Sequence, residues 1–223
     1  MKAVKRLCPK DSFCNMVKKL AIMFLAFTTA FLILFISVLR TAEIRYDFNP
    51  SLPAKGGVFL DEPERIEYYL PYPGNVLPDS PLWALKALRD RLWYIITTDA
   101  GKKADLLLLF ADKRLNMALT MFGDRKAEVG FTTLTKAEKY LELASAKEKD
   151  NRARGIDTSD FLVRLATAAL KHYEIIQTII RLAPDDARPA ILDYESYSQK
   201  VYQEARDALM EKNKVPPENP FIW

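Results

Sequence analysis

Twenty consecutive residues without a charge, LAIMFLAFTTAFLILFISVL from Leu20 to Leu39, constrain this chain more than any other feature. As a helix rising ~1.5 Å per residue, the run would reach ~30 Å, the hydrocarbon thickness of a bilayer. A soluble amphipathic helix shows a polar stripe, and here only Thr28, Thr29 and Ser37 interrupt the apolar surface. The run therefore predicts a transmembrane helix over 20–39, with the lipid bilayer as its partner.

A cleaved signal peptide would have an apolar core of about 7 to 15 residues and a small-x-small cleavage site. Behind this run stand Arg40, Thr41, Ala42 and Glu43, a poor cleavage sequence, so a retained signal-anchor is expected. No cysteine follows that could carry a lipoprotein-type lipid. Six basic residues precede the run (Lys2, Lys5, Arg6, Lys10, Lys18, Lys19) against Asp11 alone, while Arg40 and Arg45 beyond it are offset by Glu43 and Asp47. The positive-inside tendency places the N-terminus in the cytoplasm and the rest of the chain outside the cytoplasmic membrane.

The formal net charge of +4 has the same origin. Beyond residue 19 the chain holds 27 basic and 28 acidic side chains, so no global field draws nucleic acid to the body. Cys8 and Cys14 both precede the apolar run, and their spacing fits no zinc or redox motif. Cys14 could accept a lipid, but an incidental reduced thiol is the expected role.

Five regions follow: a basic cytoplasmic tip (1–19), the transmembrane helix (20–39), a proline-rich, partly ordered arm (40–79), an all-α antiparallel bundle of about four to five helices (80–214) and a tail (215–223). Pro50, Pro53, Pro63, Pro71, Pro73 and Pro78 exclude a long helix from the arm. Its aromatic residues predict that YYLPYPGNVLP at 68–78 lies extended against the body. At 77–90, LPDSPLWALKALRD offers Asp79 and Ser80 as N-caps and Pro81 at the first helical position. Leu82, Leu85, Leu88, Leu92 and Ile95 or Ile96 then draw one apolar stripe.

Four more helices are predicted: Thr98 or Asp99 to Phe122; about Asp124 to Gly155, with a bend at Gly130; Asp157–Ser159 to Ala183; and Ala187–Pro189 to about Lys214. Core faces are expected at Leu162, Leu165, Ala169, Ile176 and Ile180, and at Ile191, Tyr194, Val201, Ala205 and Leu209. ADKRLNMA (111–118) echoes AEKYLELA (137–144), with small residues seven apart, which predicts close pairing of those two segments.

The runs LPDSPLWALKALRDRLW, TTDAGKKADLLLLFADKRLNMA and TKAEKYLELA resemble a bacterial family known as a domain of unknown function, whose members open a helix with an LPDSPLY-type motif. The resemblance covers roughly residues 75 to 145. It implies a helical, envelope-located domain behind a single anchor and transfers no catalytic residues.

Catalytic chemistry finds little material. His172 is the only histidine, so any Ser-His-Asp or Cys-His arrangement would depend on it, and a surface or boundary position is expected. Asp105, Asp112, Asp124, Glu138 and Glu142 are candidates for acid/base or metal work, but the Glu-x-x-His pattern of di-iron bundles is missing. Lys102, Lys103, Lys113 and Arg114 are expected to neutralise Asp105 and Asp112. Hence no catalytic, cofactor-binding or metal residue is assigned, and no cofactor is expected. Most aromatic residues are expected in the core or in a tail tucked onto the bundle. Trp93 and Tyr94 are adjacent and cannot both be buried on one face, so one of them is a candidate partner contact.

The expected function is a non-enzymatic protein-interaction or scaffold module with an envelope protein partner. The alternative is an envelope sensor or regulatory protein binding a small molecule or cell-wall fragment, which needs a pocket of apolar groups with a few polar ones.

Overall fold

The computed structural model describes residues 18–30, 33 and 66–223. The expected cytoplasmic tip with both cysteines, part of the apolar run, and the arm up to residue 65 lie outside the described residues. The chain divides into two units, Met1–Arg45 and Tyr46–Trp223.

In the first unit residues 18–30 form a helix, α1. Its apolar side chains are exposed, and the Thr28 and Thr29 hydroxyls donate to carbonyls of their own helix, Leu25 and Ala26, which satisfies them without water. Among the described residues no helix is long and apolar enough to cross a membrane.

The second unit is helical, with no strand among the described residues. Its helices are α2 (Trp83–Ile96), α3 (Ala100–Gly123), α4 (Ala127–Ala153), α5 (Ser159–Leu182) and α6 (Arg188–Glu211). Several boundaries have a local cause. Asp99 caps α3 by accepting from the Lys102 amide at 2.7 Å, and Gly155, with φ of +78°, lets the chain reverse after α4. Pro184 follows the end of α5, and Pro189 opens α6. The entry to α2 differs slightly from expectation. Ser80 accepts from the Leu82 amide within a turn over 77–83, and the helix starts two residues after Pro81.

The four long helices form the core. α3 pairs with α4 and α5 with α6, while α4 lies beside α6 and α3 beside α5. α4 and α5 face each other across one diagonal with slight contact. Ala111, Leu115, Ala118, Ala137, Leu141 and Ala144 are all fully buried, so the alanine echo marks where α3 and α4 approach closely. The expected core faces of α5 and α6 also turn inward, with Ile180 and Tyr194 only partly buried.

The arm docks as expected from residue 66 onward. Its backbone is extended and anchored by long-range bonds: Asn116 donates to the Pro71 carbonyl (3.3 Å), and the Lys86 ammonium donates to Pro73 (2.6 Å) and Val76 (2.9 Å). The tail folds back too, with the Tyr202 hydroxyl donating to Pro217 and the Phe221 and Trp223 rings 4.8 and 5.4 Å from Tyr173.

Gly130 does not bend α4, which runs unbroken across it. Its lack of a side chain instead admits the buried Phe122 ring of α3, which a Cβ would meet at 2.8 Å. Gly130→Ala should thus destabilise the domain by about 1–3 kcal/mol through overpacking, against the ~1 kcal/mol that helix propensity alone would add. Denaturant unfolding checks this, and Phe122→Leu in the same chain should restore part of the loss.

Candidate functional site

Two features of the second unit carry more chemistry than packing requires: a polar layer inside the bundle and the outer face of α2.

The polar layer follows from where three side chains fall along their helices. His172 occupies the α5 stripe between Ala169 and Ile176, Glu138 stands between Leu134 and Leu141 on α4, and Asp112 lies beside Ala111 on α3. All three are buried, His172 and Glu138 fully. His172 Nδ1 lies 2.7 Å from Glu138 Oε1, and Nε2 lies 3.2 Å from Asp112 Oδ1. The Tyr68 hydroxyl, brought in by the docked arm, donates to Asp112 Oδ2 at 2.7 Å. Glu138 Oε2 is buried without a donor.

Burial is the largest single influence on His172 and disfavours the charged ring. The Glu138 charge, hydrogen bonds to both carboxylates and the Asp112 charge together outweigh it, so the imidazole is pushed up to about 9. Burial first, and the adjacent Asp112 carboxylate next, push the Tyr68 phenol up as well.

The expectation of a surface or boundary His172 is therefore wrong. The signal was available: Leu165, Ala169, His172 and Ile176 recur at four- and three-residue steps, the spacing of a buried stripe. The expected neutralisation of Asp105 and Asp112 by their own helix is wrong as well. Asp105 pairs with Arg164 of α5 at 2.7 Å and Asp112 with His172; Lys113 and Arg114, one and two positions from Asp112 along the helix, do not face it. Asp124 lies at the end of α3, and Glu142 meets Lys200 at 3.4 Å, so neither joins Asp112 and Glu138.

Chemically, the layer holds a proton and ties α3, α4 and α5 together. Both imidazole nitrogens are committed to carboxylates, leaving neither to activate a hydroxyl nucleophile. Among the described residues no three His, Cys, Asp or Glu side chains are arranged to hold a metal ion.

The second feature is α2. It faces the bundle with Trp83, Ala87, Asp90 and Tyr94, of which only Asp90 is buried, the others being half-buried. The apolar stripe read from the sequence points the other way: Leu85 is 66% exposed, Leu92 51% and Ile96 72%. Of the adjacent aromatic pair, Trp93 is the exposed member, set edge-on to Phe110 at 6.4 Å, and Tyr94 packs on the core. Beside the stripe, Gly74, Asn75 and Val76 of the arm form the second wall of a groove of about 750 Å³.

His172 has its folded-state pKa raised from 6.5, so its stabilisation should be complete below pH ~6.5 and be lost as pH rises through about 9. A histidine-labelled NMR titration should find the midpoint well above 6.5. His172→Ala, which strands two buried carboxylates, should cost about 3–5 kcal/mol at neutral pH and flatten the stability profile between pH 6.5 and 9.

No curated protein and no solved structure matches this chain. A family model does, over residues 75–218, which takes in all five helices of the second unit and reaches well past the 75–145 span of the resemblance. The match covers more than half of the sequence, and the chain belongs to the family described as a domain of unknown function, DUF5667.

Proposed function

We propose that this chain is a single-pass membrane protein, N-terminus in the cytoplasm, whose helical domain outside the cytoplasmic membrane is a protein-interaction module. The uncharged run at 20–39 and the basic residues before it support the anchoring and its direction. One observation carries the interaction role: α2 spends its leucine and isoleucine stripe on solvent. Leu82, Leu85, Leu88, Leu92, Ile95, Ile96 and Trp93 form one apolar surface along the helix, larger than the scattered exposure of an ordinary surface.

The occupant this surface fits is an amphipathic helix of an envelope protein partner. The groove runs along α2 and offers anchors at three- and four-residue spacing, the pattern on which an amphipathic helix seats its apolar face. Trp93 would be its central aromatic contact. The alternative sensor role has separate support in a cleft on the inner side of α2, described below.

A photo-cross-linking residue at Leu88 in the full chain, in intact cells, should yield one discrete adduct with a single envelope protein. Leu85→Glu with Leu92→Glu should abolish that adduct while shifting stability by no more than about 0.5 kcal/mol, since neither side chain is buried. Adducts only with lipid, with a second copy, or with this chain's own residues would overturn the reading. Protease protection of the helical domain in intact spheroplasts would overturn its placement.

A further inference from the structure

We propose that the cleft between α2, α3 and α4 is a binding site for a small organic anion, a carboxylate or phosphate carried on an apolar body. This deepens the sensor alternative and does not rest on the docking role of the outer face of α2.

The cleft has a volume of about 810 Å³, within the range of small-molecule sites. Its walls are aromatic and aliphatic, with Trp83, Phe110 and Tyr140 among them, and Arg114 lies at its floor. Arg114 is 6% exposed and, although it feels the nearby Asp90 charge, forms no ion pair among the described residues. Its one hydrogen bond is long, 3.5 Å from Nη1 to the Phe110 carbonyl of its own helix, and its Nε is buried without any partner.

Three rings surround the guanidinium: Tyr140 at 4.4 Å, Phe110 at 5.7 Å and Trp83 at 5.9 Å. They offset part of the cost of burying the charge. None of them accepts a hydrogen bond from its N–H donors, and a buried donor left unmet is costly. A carboxylate or phosphate oxygen is the acceptor that an arginine fork matches best.

The surrounding charges point the same way. Lys136 and Arg91 also line the cleft, and neither has a carboxylate partner among the described residues. Desolvation, then repulsion from Arg114, holds the Lys136 ammonium below the usual lysine range, a cost that an anion between the two cations would relieve. The carboxylates nearby are already engaged. Asp90 is held by Arg89 at 2.6 Å, and Asp150, at one end of the cleft, by Lys147 at 2.7 Å and Arg154 at 3.0 Å. Hydrophobic walls around convergent, uncommitted cations select an anionic head with an apolar body over a bare ion.

The three tryptophans provide the test, because Trp83 lines the cleft while Trp93 and Trp223 do not. The full chain, labelled with 5-fluorotryptophan and held in zwitterionic nanodiscs, is titrated with 2-naphthoate, 2-naphthyl phosphate, the neutral 2-naphthamide and inorganic phosphate. At least one naphthyl anion should shift the Trp83 fluorine resonance saturably, at least tenfold more tightly than the amide or inorganic phosphate. Which of the two binds better assigns the head group. Arg114→Gln should weaken binding at least tenfold. Lys136→Gln, at a position whose side chain still reaches solvent beside the cleft, should weaken it severalfold. Equal binding of the amide and both anions, a shift confined to Trp93, or unchanged affinity in the Lys136→Gln chain would overturn the proposal.

Discussion

The domain is organised around a buried imidazolium held between two carboxylates. Removing one histidine and two acids from water is expensive, and the mutual attraction returns that cost only when geometry is close. His172, Glu138 and Asp112 achieve it across three helices, and the arm adds Tyr68 as a fourth participant. The layer separates two apolar clusters. One contains Leu108, Leu141, Leu165 and Val201, the other Leu115, Leu134, Ile176 and Ile191. Apolar clusters alone tolerate sliding by a turn, whereas a single charged layer has one register. The diagonal between α4 and α5, where apolar contact is slight, is spanned by the pair with the shorter distance.

With the four long helices satisfied among themselves, α2 becomes an accessory. It is held by a narrow inner face and by the arm, whose carbonyls occupy the Lys86 ammonium. Its inner side helps wall a cleft floored by an arginine without a carboxylate, and its outer side carries a stripe of leucines and isoleucines in solvent. Both are surplus to folding. A helix that exposes large side chains and encloses an uncommitted cation is more economically read as a place of contact than as a structural support. The proposed interaction and sensing roles therefore meet on one element, and a ligand in the cleft would lie directly behind the proposed docking face.

Much of this was legible in the residues. Asp99, Gly123, Gly155, Pro184 and Pro189 marked helix ends within a few positions, since caps and breakers act over one turn of chain. The alanine echo located the α3–α4 contact, because small side chains allow close approach wherever the partner comes from. The extended course of the chain ahead of α2 was also readable from its prolines and tyrosines.

The sequence by itself determined the all-helical class, the approximate helix boundaries, the extended course of the arm and the charge asymmetry around an apolar run, all of which depend on near neighbours in the chain. Only the tertiary structure decided which of the two faces of α2 turned inward, that Gly130 accommodates a ring instead of bending a helix, and which partners Asp105, Asp112, Glu138, Arg114 and His172 took. Those outcomes rest on side chains up to 60 positions apart. A charged residue reads as a solvated surface group until its counter-charge is known to arrive from another helix, and local spacing does not carry that information.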